Sequence, residues 1–238
     1  MTMLKKLSLL GSLGVLLMIT GCAPNRIYRS NFESCDVTPT SQCESHSLQH
    51  HNAKAGNDYM LGFVEIDDQG QLRDRKQLQA LIDAVYSTAV TESVLVNLFV
   101  HGWHHNARPE DPNILSFKTS LAKLSEEEHE LSRMKNRPAR KVIGIYAGWR
   151  GESITVPVIN SLTFWDRKNT AQKVGHLGLT ELLVKLEEIT QVKNALVSYP
   201  RSRFVVLGHS FGGAVVYSAI TQILASRFVD SQAGKTSR

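Results

Sequence analysis

Three runs in this chain are apolar almost without a break: Val94-Leu95-Val96-Asn97-Leu98-Phe99-Val100, Val142 to Ala147, and Phe204 to Leu207. A strand with one face in water alternates apolar and polar residues, so an unbroken run belongs to a strand covered on both faces. Between these runs the spacing turns helical. Leu78, Leu81, Ile82 and Val85 recur at i, i+3, i+4, i+7, and Leu179, Leu182, Leu183, Leu186 and Ile189 mark a second such face. Strands alternating with amphipathic helices predict an α/β fold, a mostly parallel sheet with helices on both faces and ligand-binding loops at the carboxyl ends of its strands. Met60 to Ile66 predicts one more strand, closed by a turn at Asp67-Asp68-Gln69-Gly70. Asp111-Pro112 reads as a helix start, a capping side chain before a proline at the first helical position. That helix is expected to point Leu115, Leu121 and Leu124 inward, to keep Glu126 to Glu130 in solvent, and to end before Pro138.

With 238 residues, 42% hydrophobic and 21% charged, the chain has room for one sizeable domain and no bias towards collagen, coiled coil or wholesale disorder. The net charge of +5 includes Lys5 and Lys6; without the first 21 residues it is 25 basic against 22 acidic, or +3. So small an excess does not indicate a nucleic-acid partner. No metal, nucleotide or flavin motif appears, so no cofactor is expected.

Lys5 and Lys6 precede an apolar stretch of 13 residues, Leu7 to Ile19, too short to span a bilayer as a helix. Ile19-Thr20-Gly21-Cys22 closes it with small residues before a cysteine and resembles the lipobox of bacterial lipoproteins. That resemblance implies a signal peptide at 1–21 and a lipid anchor on Cys22, which becomes the mature N-terminus; an ordinary secretory signal is the competing reading. Ala23 stands where an aspartate would retain such a lipoprotein in the inner membrane, so the expected location is the outer membrane, facing the periplasm. Residues 22–57 are polar and aperiodic and read as a tether to a domain at 58–238. Within the tether, Cys35 and Cys43 could close a small disulfide loop in an oxidising compartment. Zinc, with His46, His50 and His51, is the alternative, although the spacing fits no structural zinc pattern.

The run Arg203-Phe204-Val205-Val206-Leu207 leads into Gly208-His209-Ser210-Phe211-Gly212-Gly213, and helical spacing resumes at Val215, Val216, Ala219, Ile220, Ile223 and Leu224. A strand that turns sharply into a helix at Gly-x-Ser-x-Gly exposes a serine hydroxyl at a rigid corner, where a nucleophile is needed. Upstream, His101-Gly102-Trp103 directly follows the strand ending Phe99-Val100, where a second oxyanion donor would stand. With these two motifs in this order, residues 59 to 227 resemble the N-terminal half of an α/β-hydrolase of the lipoprotein esterase-like kind. The resemblance implies Ser210 as nucleophile, with the N–H groups of Trp103 and Phe211 as oxyanion hole and an ester or other acyl small molecule as substrate. It makes His101 a structural residue beneath the oxyanion loop and gives His209 no catalytic role. His104 and His105 continue the loop, either contacting substrate or forming a polar loop face. The long connection from Gly148 to about Gln172 carries Trp149 and Trp165, which either line an apolar acyl pocket or cover the sheet edge. Arg150 and Asp166 are expected to form a surface ion pair.

The family's triad runs Ser, then Asp or Glu, then His. Here 28 residues follow Ser210, with no histidine and Asp230 as the one acid. Three readings are open. The chain stops short of the remaining strands, acid and histidine; this reading is carried forward because the strand at Phe204 to Leu207 would otherwise be an uncovered apolar edge. Alternatively it is a catalytically inactive envelope lipoprotein with a binding or scaffolding role, or it recruits an unusual base such as His104, His105 or His176.

Overall fold

The apolar runs lie side by side in one six-stranded sheet of the computed structural model, which describes residues 25–52, 56–151, 164–196 and 199–232. In chain order the elements are β1 (Asn31–Val37), β2 (His46–His51), β3 (Tyr59–Glu65), α1 (Arg75–Thr91), β4 (Val94–Val100), α2 (Pro112–Met134), β5 (Lys141–Gly148), α3 (Phe164–Val174), a π-helical turn (Gly175–Leu179), α4 (Thr180–Leu196), β6 (Arg203–Gly208) and α5 (Phe211–Gln232). The sheet order is β1-β2-β3-β5-β4-β6. β3, β5, β4 and β6 are mutually parallel, β2 pairs antiparallel with β3, and β1 runs parallel to β2. The fold is therefore α/β with a mixed, mostly parallel sheet.

Alternation along the central strands separates two cores. Met60, Val64, Val96, Leu98, Ile143 and Ile145 point to the face covered by α1, α4 and α5, meeting Leu81, Leu182 and Val215. Leu61, Phe63, Leu95, Val142 and Tyr146 point to the other face, against Ile114, Phe117 and Leu121 of α2. Burying an aliphatic side chain of this size contributes roughly 1.5–3 kcal/mol, so these two layers dominate the stability of the sheet.

Two strands of this sheet come from the segment expected to be a tether. β1 and β2 extend the sheet, Cys35 and Cys43 are joined by a disulfide, and the rings of His51 and Tyr59 stack at 4.5 Å. What holds so polar a stretch is a buried acid. The Glu65 carboxylate accepts the N–H groups of Tyr28 (3.0 Å) and Arg29 (2.8 Å), and Gln77 donates to the Arg29 carbonyl at 3.0 Å while accepting the Glu65 N–H at 2.7 Å. The Arg29 side chain is buried too. Its Nε–H donates to the Ala107 carbonyl at 2.9 Å, Nη1 donates to the Glu44 carbonyl, and the guanidinium lies 4.0 Å over the Phe63 ring. The boundary expected at residue 57 does not separate structural units, and composition misses it because backbone pairing and one carboxylate do the work of apolar side chains.

α2 starts as expected, with the Asp111 side chain accepting the Asn113 N–H at 2.9 Å. Its inward stripe is Ile114, Phe117 and Leu121, while Leu115 is exposed. Glu128, expected in solvent, is buried and meets Arg137 at 2.5 Å and Arg140 at 2.9 Å. Burial would raise its pKa, but these two cations and the Arg140 N–H outweigh it and hold the carboxyl below the ordinary value.

Among the described residues β6 has a neighbour on one side only, β4. Phe204 and Val206 pack into the core, whereas Leu207 on the opposite face is 47% exposed. α5 buries Val215 and Ala219 but leaves Tyr217, Ile220, Leu224 and Phe228 exposed, so only part of its expected apolar face is covered among the described residues.

Candidate active site

The carboxyl ends of β4 and β6 meet at the two motifs. β6 ends at Gly208, the His209 N–H donates to the Val100 carbonyl at 3.0 Å, and α5 begins at Phe211. Ser210 is the corner of this turn, with a φ of 55°. That left-handed conformation costs an L-residue roughly 1–2 kcal/mol and is held here by its neighbours. A Cβ on Gly208 would stand 2.6 Å from the Gly212 carbonyl oxygen, so strand and helix can approach this closely only through glycine. Ser210 is exposed, as a nucleophile at an elbow must be.

The His101-Gly102-Trp103 loop leans directly on that corner. A Cβ on Gly102 would lie 2.7 Å from the His209 carbonyl oxygen and 2.9 Å from the Ser210 Cβ. Among the described residues neither the Trp103 nor the Phe211 amide N–H donates a hydrogen bond. Phe211 opens a helix, whose first N–H groups have no intrahelical acceptor and bind anionic groups readily.

His101 is wholly buried. Its Nε2 accepts the Trp149 N–H at 2.9 Å, which leaves Nδ1 to donate to the Gly102 carbonyl at 2.9 Å. Burial pushes its pKa down to about 4, only partly opposed by these bonds, so it is a neutral strut holding the loop from below. Trp149 stacks on it at 5.6 Å, returns a bond from Nε1 to the His101 carbonyl at 2.9 Å, and is only 3% exposed. It packs beneath the loop and is not among the residues that bound the groove beside the elbow.

The two loop histidines differ. His104 is exposed, has a φ of 68°, and stacks on Trp103 at 4.1 Å. His105 is half-buried and points to the buried Asp111, with Nδ1 3.0 Å from its Oδ1. Asn113 donates to His105 Nε2 at 2.7 Å, so the ring lone pair is already engaged. Burial pushes the Asp111 carboxyl up, but the His105 ring and the amides of Asn106 and Asn113 more than offset this, holding its pKa below the ordinary carboxylate value. The His105–Asp111 pair thus folds the loop onto the start of α2. Among the described residues, no histidine is hydrogen-bonded to the Ser210 hydroxyl. His176 binds Gln222 at 2.6 Å instead.

An aromatic wall flanks the elbow. Phe164 lies 5.0 Å from Phe211 and 5.3 Å from Trp103, and Trp165 stands 5.4 Å from Phe164 with 68% of its surface exposed. Phe164 carried no signal beyond being apolar within a long connection. On the other side of the elbow a groove of about 610 Å³ runs between β6 and α2, bounded by Phe99, Asn113, Phe117, Leu207 and His209. Arg150 pairs with Asp68 rather than Asp166; Asp68 also meets Arg167 at 3.2 Å, and Asp166 meets Arg167 at 2.5 Å. Cys22 and residues 152–163 of the connection lie outside the described residues, as do the expected signal peptide and lipobox. No helix of the described residues is long and apolar enough to cross a membrane.

No protein-family model matches this sequence, and neither a curated protein nor a solved structure is similar to it. The functional reading therefore stands on the site's own geometry and on the resemblance of its two motifs.

Proposed function

We propose that this chain is a serine hydrolase of the carboxylesterase or lipase-like kind, with Ser210 as nucleophile and the Trp103 and Phe211 amides as oxyanion hole. The observation that carries the reading is the packing of Gly102 against an exposed Ser210 held at a φ of 55°. A strained corner pressed against a loop whose Trp103 amide donates no hydrogen bond among the described residues is what acyl transfer requires and what a structural turn does not. The serine oxygen adds to the carbonyl carbon, the developing oxyanion takes the two N–H groups, and the alcohol leaves with the serine proton. Water then cleaves the acyl-serine ester, restores the hydroxyl and releases the acid. The groove bounded by Leu207 and the wall of Trp103, Phe164 and Phe211 would receive the acyl and alcohol portions. The test is labelling by a fluorophosphonate probe: covalent modification at Ser210, lost in Ser210→Ala, is expected. Absence of labelling would support the second reading, a binding lipoprotein, motivated by the absence of a histidine bonded to the Ser210 hydroxyl among the described residues.

A further inference from the structure

The chain just after Cys22 is fixed to the same rim of the sheet as Ser210. Asn25 Oδ1 accepts a bond from Arg73, and Tyr28 and Arg29 bind Glu65, the last residue of β3. Glu65 is in register with Gly148, Ala147 with Val100, and Val100 with Gly208, so one line of strand ends leads from this anchorage to the elbow. At ~4.8 Å per strand, Glu65 and Gly208 are roughly 14 Å apart. Three residue steps separate Cys22 from Asn25, a reach of ~11 Å even when fully extended. Acyl chains on Cys22 would therefore bring a bilayer to this rim and to no other side of the molecule.

The rim is suited to that position. Trp165 is largely exposed with Lys168 5.1 Å over its ring, and Leu177 is 49% exposed. Tryptophan concentrates at the headgroup level of membranes, where a lysine keeps its stem on apolar surface and its ammonium among phosphates. Asp68, bonded to Arg150 and Arg167, ties the loop that holds Asn25 to the helix that carries Trp165. The rim and the anchorage thus approach a membrane as one piece.

We propose that the Ser210 rim faces the lipid bilayer and that the substrate is an acyl ester drawn from that bilayer. The proposal rests on lipidation of Cys22 for the orientation and on the hydrolase reading for the substrate. The full chain is reconstituted in phosphatidylcholine and phosphatidylglycerol vesicles, with a nitroxide on Trp165→Cys or, at the opposite end of the sheet, on Met134→Cys. Cys35 and Cys43 are paired and an acylated Cys22 has no free thiol, so the label is unique. The label at 165 is expected to be reached by oxygen several-fold more effectively than by a polar nickel complex, and the label at 134 to show the reverse. Equal aqueous exposure at both positions, deeper immersion at 134, or a chain carrying no lipid at Cys22 overturns the orientation. A second variant carries thirty Gly/Ser residues between Pro24 and Asn25. It is expected to hydrolyse vesicle lipid at least tenfold more slowly while keeping its rate on a soluble aryl ester; equal rates on vesicle lipid overturn the substrate assignment. Loss of both activities together, with the labels placed as expected, overturns the hydrolase reading and leaves the orientation standing.

Discussion

Gly102 packs closely against Ser210: a methyl group on Gly102 would come within 2.9 Å of the Ser210 Cβ and 2.7 Å of the His209 carbonyl oxygen. Two loops that are 108 residues apart in sequence thus share one surface, and neither can shift without the other. Gly102→Ala is expected to force them apart, costing ~1–3 kcal/mol of stability as overpacking does. Probe labelling of Ser210 should slow at least tenfold, because an oxyanion donor displaced by an ångström loses most of its effect. Denaturant melts and labelling kinetics on the same preparation separate the two effects.

The corner conformation of Ser210 gives a second expectation. Ser210→Gly removes the Cβ from a residue with a φ of 55° and should leave stability unchanged or raise it by up to ~1 kcal/mol, after the extra freedom of glycine in the unfolded chain is counted. Ser210→Ala keeps the Cβ and should not gain. Both abolish labelling. A glycine variant that is markedly less stable than wild type would show that the hydroxyl or Cβ supports the fold.

Four of the six strands and most of the helices were legible because their apolar residues recur over long stretches at one period. The strands β1 and β2 were not. His46-Ser47-Leu48-Gln49-His50-His51 contains one aliphatic residue, and its place in the sheet is held by backbone pairing with β1 and β3. Ser210 and Gly102 were readable because a tight turn admits so few residue types. The role of Trp149 was not, since a tryptophan near an active loop serves equally well as wall or foundation, and only its distance from His101 decides. Glu128 misled for the opposite reason: within an acidic run, nothing marks the one carboxylate that meets two arginines.

pH supplies a third prediction. His101 and His51 are both pushed down to about 4, chiefly by burial. Unfolded histidine titrates near 6.5, so between pH ~6.5 and ~4 the unfolded chain binds more protons than the folded one. Stability therefore rises with pH through this window and is lost as pH falls through it. The melting temperature should drop steadily from pH 6.5 to 4, and the slope should be shallower in His51→Phe, which keeps a ring for Tyr59 to stack on. A flat profile over that range would contradict the burial of both rings.

The anchorage of the N-terminal segment can be tested without any activity. Glu65→Leu leaves the Tyr28 and Arg29 amides without their acceptor in a buried setting, at ~1–3 kcal/mol for each orphaned group. Residues 25–30 should then become accessible to limited proteolysis under conditions where wild type is resistant. Resistance equal to wild type would mean that Arg29, through Ala107 and Glu44, holds the segment without the acid.

Among the described residues Ser210 is mounted at the end of an edge strand, and that placement sets how stiff the corner is. A central strand is clamped from both sides, whereas among the described residues β6 is paired with β4 alone, and its amides should exchange with solvent sooner than those of β4 or β5. On the proposed hydrolase reading, the precision of Ser210 is then set by the energy of a single ladder. Any polypeptide that adds a strand along β6 would tighten the corner from a distance and raise reactivity without contributing a single atom to the chemistry.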